Sequence, residues 1–275
     1  MREAQQLVEQ LRGYSSCAVA FSAGVDSTVV AKAAQLALGE HAVAVTGVGP
    51  ALAEGELDEA KRLASLIGIR HEVVATDEIN TAGYIANAPD RCFHCKTELY
   101  THVEQIAKGL ALATLANGAN TDDQGDYRPG MQAAADFQVR SPLVECGFGK
   151  EVVRGLAAYW ELPVWDKPAA PCLASRVAYG QQVTPERLRM IDAAERRLRE
   201  LGIRELRVRY HEGDLARIEV PAEWLPRLVE DGPRQTLLAD LRALGFKSVT
   251  FDLAGFQSGS LNQVLDAATL TKWRR

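Results

Sequence analysis

The sequence predicts an α/β fold: a parallel, doubly wound sheet followed by a smaller α+β unit. Three features carry the prediction. Apolar runs of strand length alternate with helical stretches between residues 17 and 76. Those runs are apolar at consecutive positions, as in strands covered by helices on both faces. The first run ends in a turn of small polar residues that opens directly into a helix, at the end of the strand where parallel sheets hold ligands.

The elements follow in order. Residues 4–11 form a short amphipathic helix, 17–21 the first strand, and 27–34 the start of a helix. Residues 41–48 are a second apolar strand. Over 54–67, Leu57, Ala60, Leu63, Ala64 and Ile67 fall on one helical face, and Gly68 ends the helix. Strands are expected over 72–76, 113–120 and 137–143, with helices up to about residue 108 and over 150–162. Beyond Thr184 the character changes. Thr184 with Pro185 caps a charged helix running to about 201, and 205–211 with 216–220 alternate as a hairpin. Helices over 224–230 and 233–244 lead to a last strand at 248–253. Two domains are expected, 1–180 and 184–275.

The turn after the first strand reads Ser22-Ala23-Gly24-Val25-Asp26-Ser27. Small residues let the backbone close around an anion, and the N–H groups of the first helical turn point at it with the helix dipole behind them. An ordinary capped turn has a similar composition. The spacing is not that of a Walker loop, since no lysine follows the glycine. The stretch resembles the Ser-Gly-Gly-x-Asp-Ser loop of ATP pyrophosphatases, with Ala23 replacing a glycine. That change is expected to be tolerated if Ala23 keeps a negative φ.

With 275 residues and 47% hydrophobic content, the chain can bury a sizeable core. A net charge of −5 argues against nucleic acid as the main partner. The first residues lack the apolar segment of a signal peptide and no run is long enough to span a bilayer, so a cytoplasmic protein is expected. In that compartment the five cysteines are ligands, nucleophiles or core residues rather than disulfides.

Arg91-Cys92-Phe93-His94-Cys95-Lys96 opens a helix, whose N-terminus favours thiolates. Two thiolates alone complete neither a zinc site nor an iron–sulfur cluster. His94 is expected to be a solvated or capping side chain rather than a ligand. A further sulfur, Cys172, lies in the proline-rich stretch from Trp165 to Arg176 among cations, as a candidate nucleophile or ligand. Cys17, in a core strand, and Cys146, in a turn, are expected only to pack. Asp122, Asp123 and Asp126 fall in one carboxylate-dense loop, either solvated or a site for Mg²⁺ or a polar ligand.

Taken together, the 22–27 loop, Arg91-Cys92-x-x-Cys95-Lys96, Asn117-Gly118-x-Asn120-x-Asp122-Asp123, Asp126-Tyr127-Arg128-Pro129-Gly130, Ser141-Pro142-Leu143 and Trp165-Asp166-Lys167-Pro168 with Cys172-Leu173-x-Ser175-Arg176 resemble the LarE family. These are ATP-dependent sulfur transferases that mature the nickel-pincer cofactor of lactate racemase. The resemblance covers nearly the whole chain. It implies an adenine nucleotide α-hydrolase-like (PP-loop) domain that binds ATP on Ser22, Ala23, Gly24, Val25, Asp26 and Ser27, with Asp26 helping to hold Mg²⁺. The implied substrate is a small-molecule nucleotide, pyridinium-3,5-biscarboxylic acid mononucleotide, whose carboxylates become thiocarboxylates. Arg207 and Arg209, two apart on one strand face, are expected to hold a phosphate together with Arg176. A homo-oligomer assembled through the C-terminal region is also implied.

Two sulfur sources are compatible with the resemblance. Cys172 attacks the adenylate and gives up its own sulfur, or Cys92, Cys95 and Cys172 ligate three irons of a [4Fe–4S] cluster. The count of three thiolates favours the cluster, and the Cys-x-x-Cys pair has no evident purpose in the sacrificial route. A tRNA thiolase on the same fold shares the loop and the cysteines but normally brings a basic RNA-binding surface, absent here. An amide-forming ligase of the NAD synthetase type needs no cysteine at its site. An ATP-binding regulatory protein of the universal-stress type leaves the cysteines idle.

Overall fold

The computed structural model describes residues 1–124, 127–257 and 259–272. Its first half is a four-stranded parallel sheet of β1 (Cys17–Ala20), β2 (Ala42–Val48), β3 (Arg70–Ala75) and β4 (Thr114–Ala116), in the order β3-β2-β1-β4. Around it run α1 (Arg2–Arg12), α2 (Val25–Leu38), α3 (Glu56–Ile67), α4 (Ala82–Ile85), α5 (Arg91–Gly109), α6 (Gly130–Asp136), α7 (Pro142–Glu145) and α8 (Lys150–Tyr159). The chain steps outward from β1 to β3 and then returns to the other side of β1 for β4. Strand order therefore reverses between β1 and β4, which opens a crevice at their carboxyl ends.

Consecutive burial in the strands reflects two apolar layers. Val19 and Ala44 face a core with Leu7 and Leu11 of α1, Val29 and Val30 of α2 and Leu156 of α8. Their neighbours Ala18, Val43 and Val45 face Val103 and Ala107 of α5. Among the described residues, no helix is long and apolar enough to cross a membrane.

The second half contains α9 (Pro185–Glu200), β5 (Arg207–His211), β6 (Leu215–Glu219), α10 (Leu225–Val229), α11 (Asp231–Ala243), β7 (Ser248–Phe251) and α12 (Ala267–Lys272). β5 and β6 form the expected hairpin, and β7 joins β6 in parallel. Thr184 Oγ1 accepts from the Arg187 amide at 3.3 Å, with Pro185 in the first turn of α9. The core of this half includes Ile191, Leu198, Val208, Ile218 and Leu241, together with Ala51, Tyr84, Leu173 and Ala174 from the first half. Val177 also forms a parallel bridge to Tyr210. The two halves thus share one apolar cluster across the expected division at 180/184.

One expected element is absent. Residues 137–143 make a single bridge, Arg140 to Ala116, instead of a fifth strand. Gln138 has a positive φ of 53°, and Pro142, which has no N–H to give a ladder, starts α7. The helix expected over 150–162 stops at Tyr159, and Glu161 takes a left-handed φ of 53° just beyond it.

Candidate active site

The 22–27 loop sits at the reversal point. Ser27 Oγ accepts from the Ser22 amide at 3.2 Å and donates to the Gly24 carbonyl at 3.1 Å, while Thr28 Oγ1 donates to the same carbonyl at 2.8 Å. Gly24 is the N-cap of α2, so the free amides of the first turn face the crevice. Ala23 adopts a φ of 57°, against the negative value expected from sequence. Alanine bears that left-handed strain while fully buried. Gly118, just past β4, crosses directly over this loop: a Cβ there would lie 2.6 Å from the Ser27 nitrogen.

Asp26 is held from two sides. Asn120 Nδ2 donates to its Oδ1 at 3.0 Å, and Lys150 Nζ lies 2.6 Å from its Oδ2. The acidic loop supports this arrangement. Asp122 accepts the Lys150 amide at 2.9 Å and so caps α8, while Asp123 accepts the Asn120 amide at 3.1 Å and pairs with Arg128 at 2.7 Å. Burial raises the Asp123 carboxyl above its ordinary value, Arg128 opposing. Asp126 lies outside the described residues. Among the described residues, no three His, Cys, Asp or Glu side chains are grouped to hold a single metal ion.

Cys92 and Cys95, three apart in the first turns of α5, fall on one helical face, and Cys95 packs against the cluster that holds Leu173 and Ala174, the residues after Cys172. Arg91 makes the junction. Its Nη1 donates to the Ala174 carbonyl at 2.7 Å and to Asn87 Oδ1, and its Nη2 lies 3.8 Å from Cys92 Sγ. Asn87 Nδ2 in turn donates to the carbonyls of Val177, Ala178 and Gln181. Burial, followed by the neighbouring Cys172, pushes the Cys95 thiol up to about 12. Burial works to discharge Lys96, but Tyr100 and the three thiols outweigh it and hold the ammonium cationic.

This donor set fits a [4Fe–4S] cluster in its chemistry. Such a cluster takes cysteine sulfur as its ligand, and Cys92, Cys95 and Cys172 would supply three. His94 lies across Gly83 and 3.7 Å from Asp90, outside the thiol group. Cys17 is buried, with its thiol pushed up to about 12 by that burial, and belongs to the core, as does Cys146 at its edge.

The three arginines expected to bind phosphate all donate to backbone carbonyls of the Cys172 segment. Arg207 Nη2 donates to the Ala169 carbonyl at 2.8 Å. Arg176 Nη1 donates to the carbonyls of Pro171 and Cys172, and Arg209 Nη1 to that of Ser175 at 3.1 Å. Arg176 and Arg209 are buried and matched to Glu195 and Glu219, which leaves neither free for a phosphate in this conformation. Arg207 has no carboxylate partner among the described residues. Burial, then Arg176, lowers its pKa to about 10, and its guanidinium stacks over Phe256. Further back, Arg154 donates to the carbonyls of Trp165 and Lys167, and Lys167 Nζ reaches the Ala23 carbonyl at 3.3 Å. That last contact ties the Cys172 segment to the 22–27 loop.

Sequence reasoning did not single out Lys150, Arg154 or Asn87. Each acts through a contact more than ten positions away in the chain, with no local pattern to mark it. Arg91 was legible only as part of the cysteine motif.

A parallel sheet with a small-residue loop and a helix N-terminus at its reversal point defines a nucleotide-binding α/β protein related to the ATP pyrophosphatases. No family model matches the chain. It is 46% identical over 247 residues to the uncharacterized protein slr1717 of Synechocystis sp., covering 90% of this chain and 92% of the relative. It is 36% identical over 265 residues to the pyridinium-3,5-bisthiocarboxylic acid mononucleotide synthase of Lactiplantibacillus plantarum, covering 96% and 95%. A third relative, MJ0830 of Methanocaldococcus jannaschii, is 26% identical over 242 residues, covering 87% and 90%. The chain belongs to the LarE family.

Proposed function

We propose that the protein is an ATP-dependent sulfur transferase. It adenylates the carboxylates of pyridinium-3,5-biscarboxylic acid mononucleotide and converts them to thiocarboxylates. The observation that carries this reading is the packing of Cys95, from the Cys-x-x-Cys helix, beside the Cys172 segment, which Lys167 ties to the 22–27 loop. Neither an amide ligase nor a nucleotide sensor has a use for that arrangement.

ATP lies with its pyrophosphate on the amides of Ser22, Ala23, Gly24, Val25, Asp26 and Ser27. A substrate carboxylate attacks the α-phosphorus, and pyrophosphate leaves toward the helix N-terminus and Lys150. Mg²⁺, carried on the phosphates, is held with Asp26, which requires Lys150 to release that carboxylate and turn to the phosphates. Arg207, the one arginine of the three without a carboxylate partner among the described residues, serves the substrate phosphate. The Cys92, Cys95 and Cys172 thiolates would hold a [4Fe–4S] cluster, which when bound supplies sulfide on an iron that no protein thiolate occupies. Association of copies through the C-terminal half is part of the proposal, supported by Leu253 and Val264 standing out in solvent.

The exposure of Cys172 favours a second source for the sulfur. In that route the Cys172 thiolate adds to the acyl-adenylate and AMP leaves. Loss of the Cα proton then breaks the Cβ–S bond, leaving dehydroalanine in the chain and the sulfur on the substrate.

Protein purified without oxygen and supplied with Mg²⁺·ATP and the dicarboxylate tests the reading. The expected products are pyrophosphate, AMP and a thiocarboxylate. Iron and acid-labile sulfide at about four each per chain, lost in Cys92→Ala, identify the cluster route. A colourless chain that loses the elements of H₂S at Cys172 identifies the sacrificial route. Pyrophosphate release without a thiocarboxylate product, unaffected by Cys172→Ala, overturns both.

A further inference from the structure

Glu78 opens the short turn Glu78–Asn80 after β3 and is only 5% exposed, yet its carboxylate has no hydrogen-bond or ion-pair partner among the described residues. It lies against Gly49, the residue after β2: a Cβ on that glycine would stand 2.6 Å from Glu78 Oε1 and 2.8 Å from Thr76 Oγ1. Gly49 is at the carboxyl edge of the sheet, between the two parts of the candidate site. Three residues before it, Thr46 Oγ1 donates to the Phe21 carbonyl at 2.8 Å, just ahead of Ser22. Two residues after it, the Ala51 carbonyl accepts the Leu173 amide at 3.0 Å, just past Cys172. A carboxylate is costly to bury without a counter-charge, and a fold normally pairs it. Here the described residues supply the negative group and its cradle but no bonded cation.

We propose that Glu78 is a specificity-determining residue whose carboxylate faces the pyridinium ring of the substrate and provides its counter-charge. The inference rests on the sulfur-transfer reading given above. A substrate carboxylate that is adenylated over the 22–27 loop and then meets sulfur at the Cys172 segment brings its ring between the two, where Gly49 stands. Charge selects what faces Glu78 there. ATP, the substrate phosphate and the substrate carboxylates are anionic and are repelled by it. The ring nitrogen carries the one fixed positive charge among the organic reactants, and it cannot be discharged by losing a proton. One carboxylate and one hydroxyl are too few oxygens for a hard metal ion, and among the described residues no three His, Cys, Asp or Glu side chains are grouped to hold one.

The test is calorimetric binding, by the full chain, of pyridinium-3,5-biscarboxylic acid mononucleotide and of its 1,4-dihydropyridine form. The second ligand has a neutral ring and keeps the carboxylates and the phosphate. Wild type is expected to bind the pyridinium form about tenfold more tightly. Glu78→Gln keeps the shape and removes the charge, so it is expected to bring the two affinities within about twofold while ATP binding stays unchanged. Gly49→Ala is the second variant. Its Cβ would displace the Glu78 carboxylate, the far end of a flexible side chain, and the same loss of preference is expected. A preference kept in both variants overturns the proposal and leaves the sulfur-transfer reading standing. Loss of ATP affinity in Glu78→Gln with the ring preference intact overturns it as well and assigns the carboxylate to ATP. A wild type that binds neither form of the mononucleotide defeats the substrate reading itself, and the proposal with it.

Discussion

The Arg176 guanidinium donates to the Cys172 carbonyl at 3.0 Å while its other face is bound by both oxygens of Glu195. Glu195 is wholly buried and also accepts from Arg199 and the Val208 amide. The Cys172 segment has little secondary structure of its own, and its prolines lack N–H groups, so its carbonyls must find donors elsewhere. Arginines from α5, α8, β5 and the segment's own 173–176 turn provide them. Placement of the candidate sulfur is therefore a property of the second half of the chain as much as of the first.

Removing Arg176 should show this. Arg176→Ala leaves Glu195 buried without its main partner, a change expected to cost about 3–5 kcal/mol. Urea unfolding gives the magnitude. Hydrogen exchange should show protection lost over the 172–177 turn before it is lost in β1 or β2. Full protection of that turn in a folded variant would show that packing alone places Cys172.

The same cluster sets a pH dependence. Burial alone would raise the Glu195 carboxyl, but Arg176 and Arg199 outweigh it and hold it below its ordinary value of 4.5. A carboxyl depressed in the folded state contributes stability that is fully present above the unfolded value. That contribution falls away as pH drops through the lower native value. Thermal melts should therefore lose stability below about pH 4.5, and Glu195→Gln should flatten that limb of the curve while lowering the plateau. An acid limb unchanged in Glu195→Gln would assign it to other carboxylates.

The sheet and the loop were legible in the sequence because both are local. Unbroken apolar runs mark β1 and β2, and Ser22 to Ser27 is a contiguous turn. Residues 137–143 misled because Phe137 and Val139 alternate with polar residues as in a strand, yet Pro142 begins a helix. Ala23 misled differently: alanine was expected to avoid a positive φ, and the buried loop imposes it. The arginines were found as a set, but sequence shows positive charge and alternation and not the glutamates of α9 and β6 that pair with Arg176 and Arg209. Contacts such as Lys150 to Asp26 span more than a hundred positions and leave no pattern.

Gly118 offers a test of the crevice itself. An added Cβ would lie 2.6 Å from the Ser27 nitrogen and 2.9 Å from the Asp26 carbonyl carbon, both backbone atoms that yield only if the loop moves. Gly118→Ala is expected to cost about 1–3 kcal/mol in overpacking and, on the proposed placement of ATP, to weaken its binding by displacing those amides. Calorimetric titration with ATP reads the affinity. A destabilised variant that binds ATP as the wild type does would place the phosphates away from this loop.

Lys150 is the last group whose role can be separated from folding. Its pair with Asp26 is partly exposed, 34% and 24% for the two side chains, and such a pair contributes about 1 kcal/mol or less. Lys150→Met should therefore melt close to wild type. Its effect on chemistry should be larger. Without the ammonium, pyrophosphate leaves with one counter-charge fewer, so release from Mg²⁺·ATP is expected to slow by a factor of about ten or more. Asp26, freed of its competitor, should bind Mg²⁺ more readily, which lowers the Mg²⁺ concentration needed for half-maximal turnover. Asp26→Asn should have the opposite metal dependence and a comparable melt. If Lys150→Met releases pyrophosphate at the wild-type rate with an unchanged Mg²⁺ requirement, the pair is only a surface contact, and Asp26 acts through Asn120 alone.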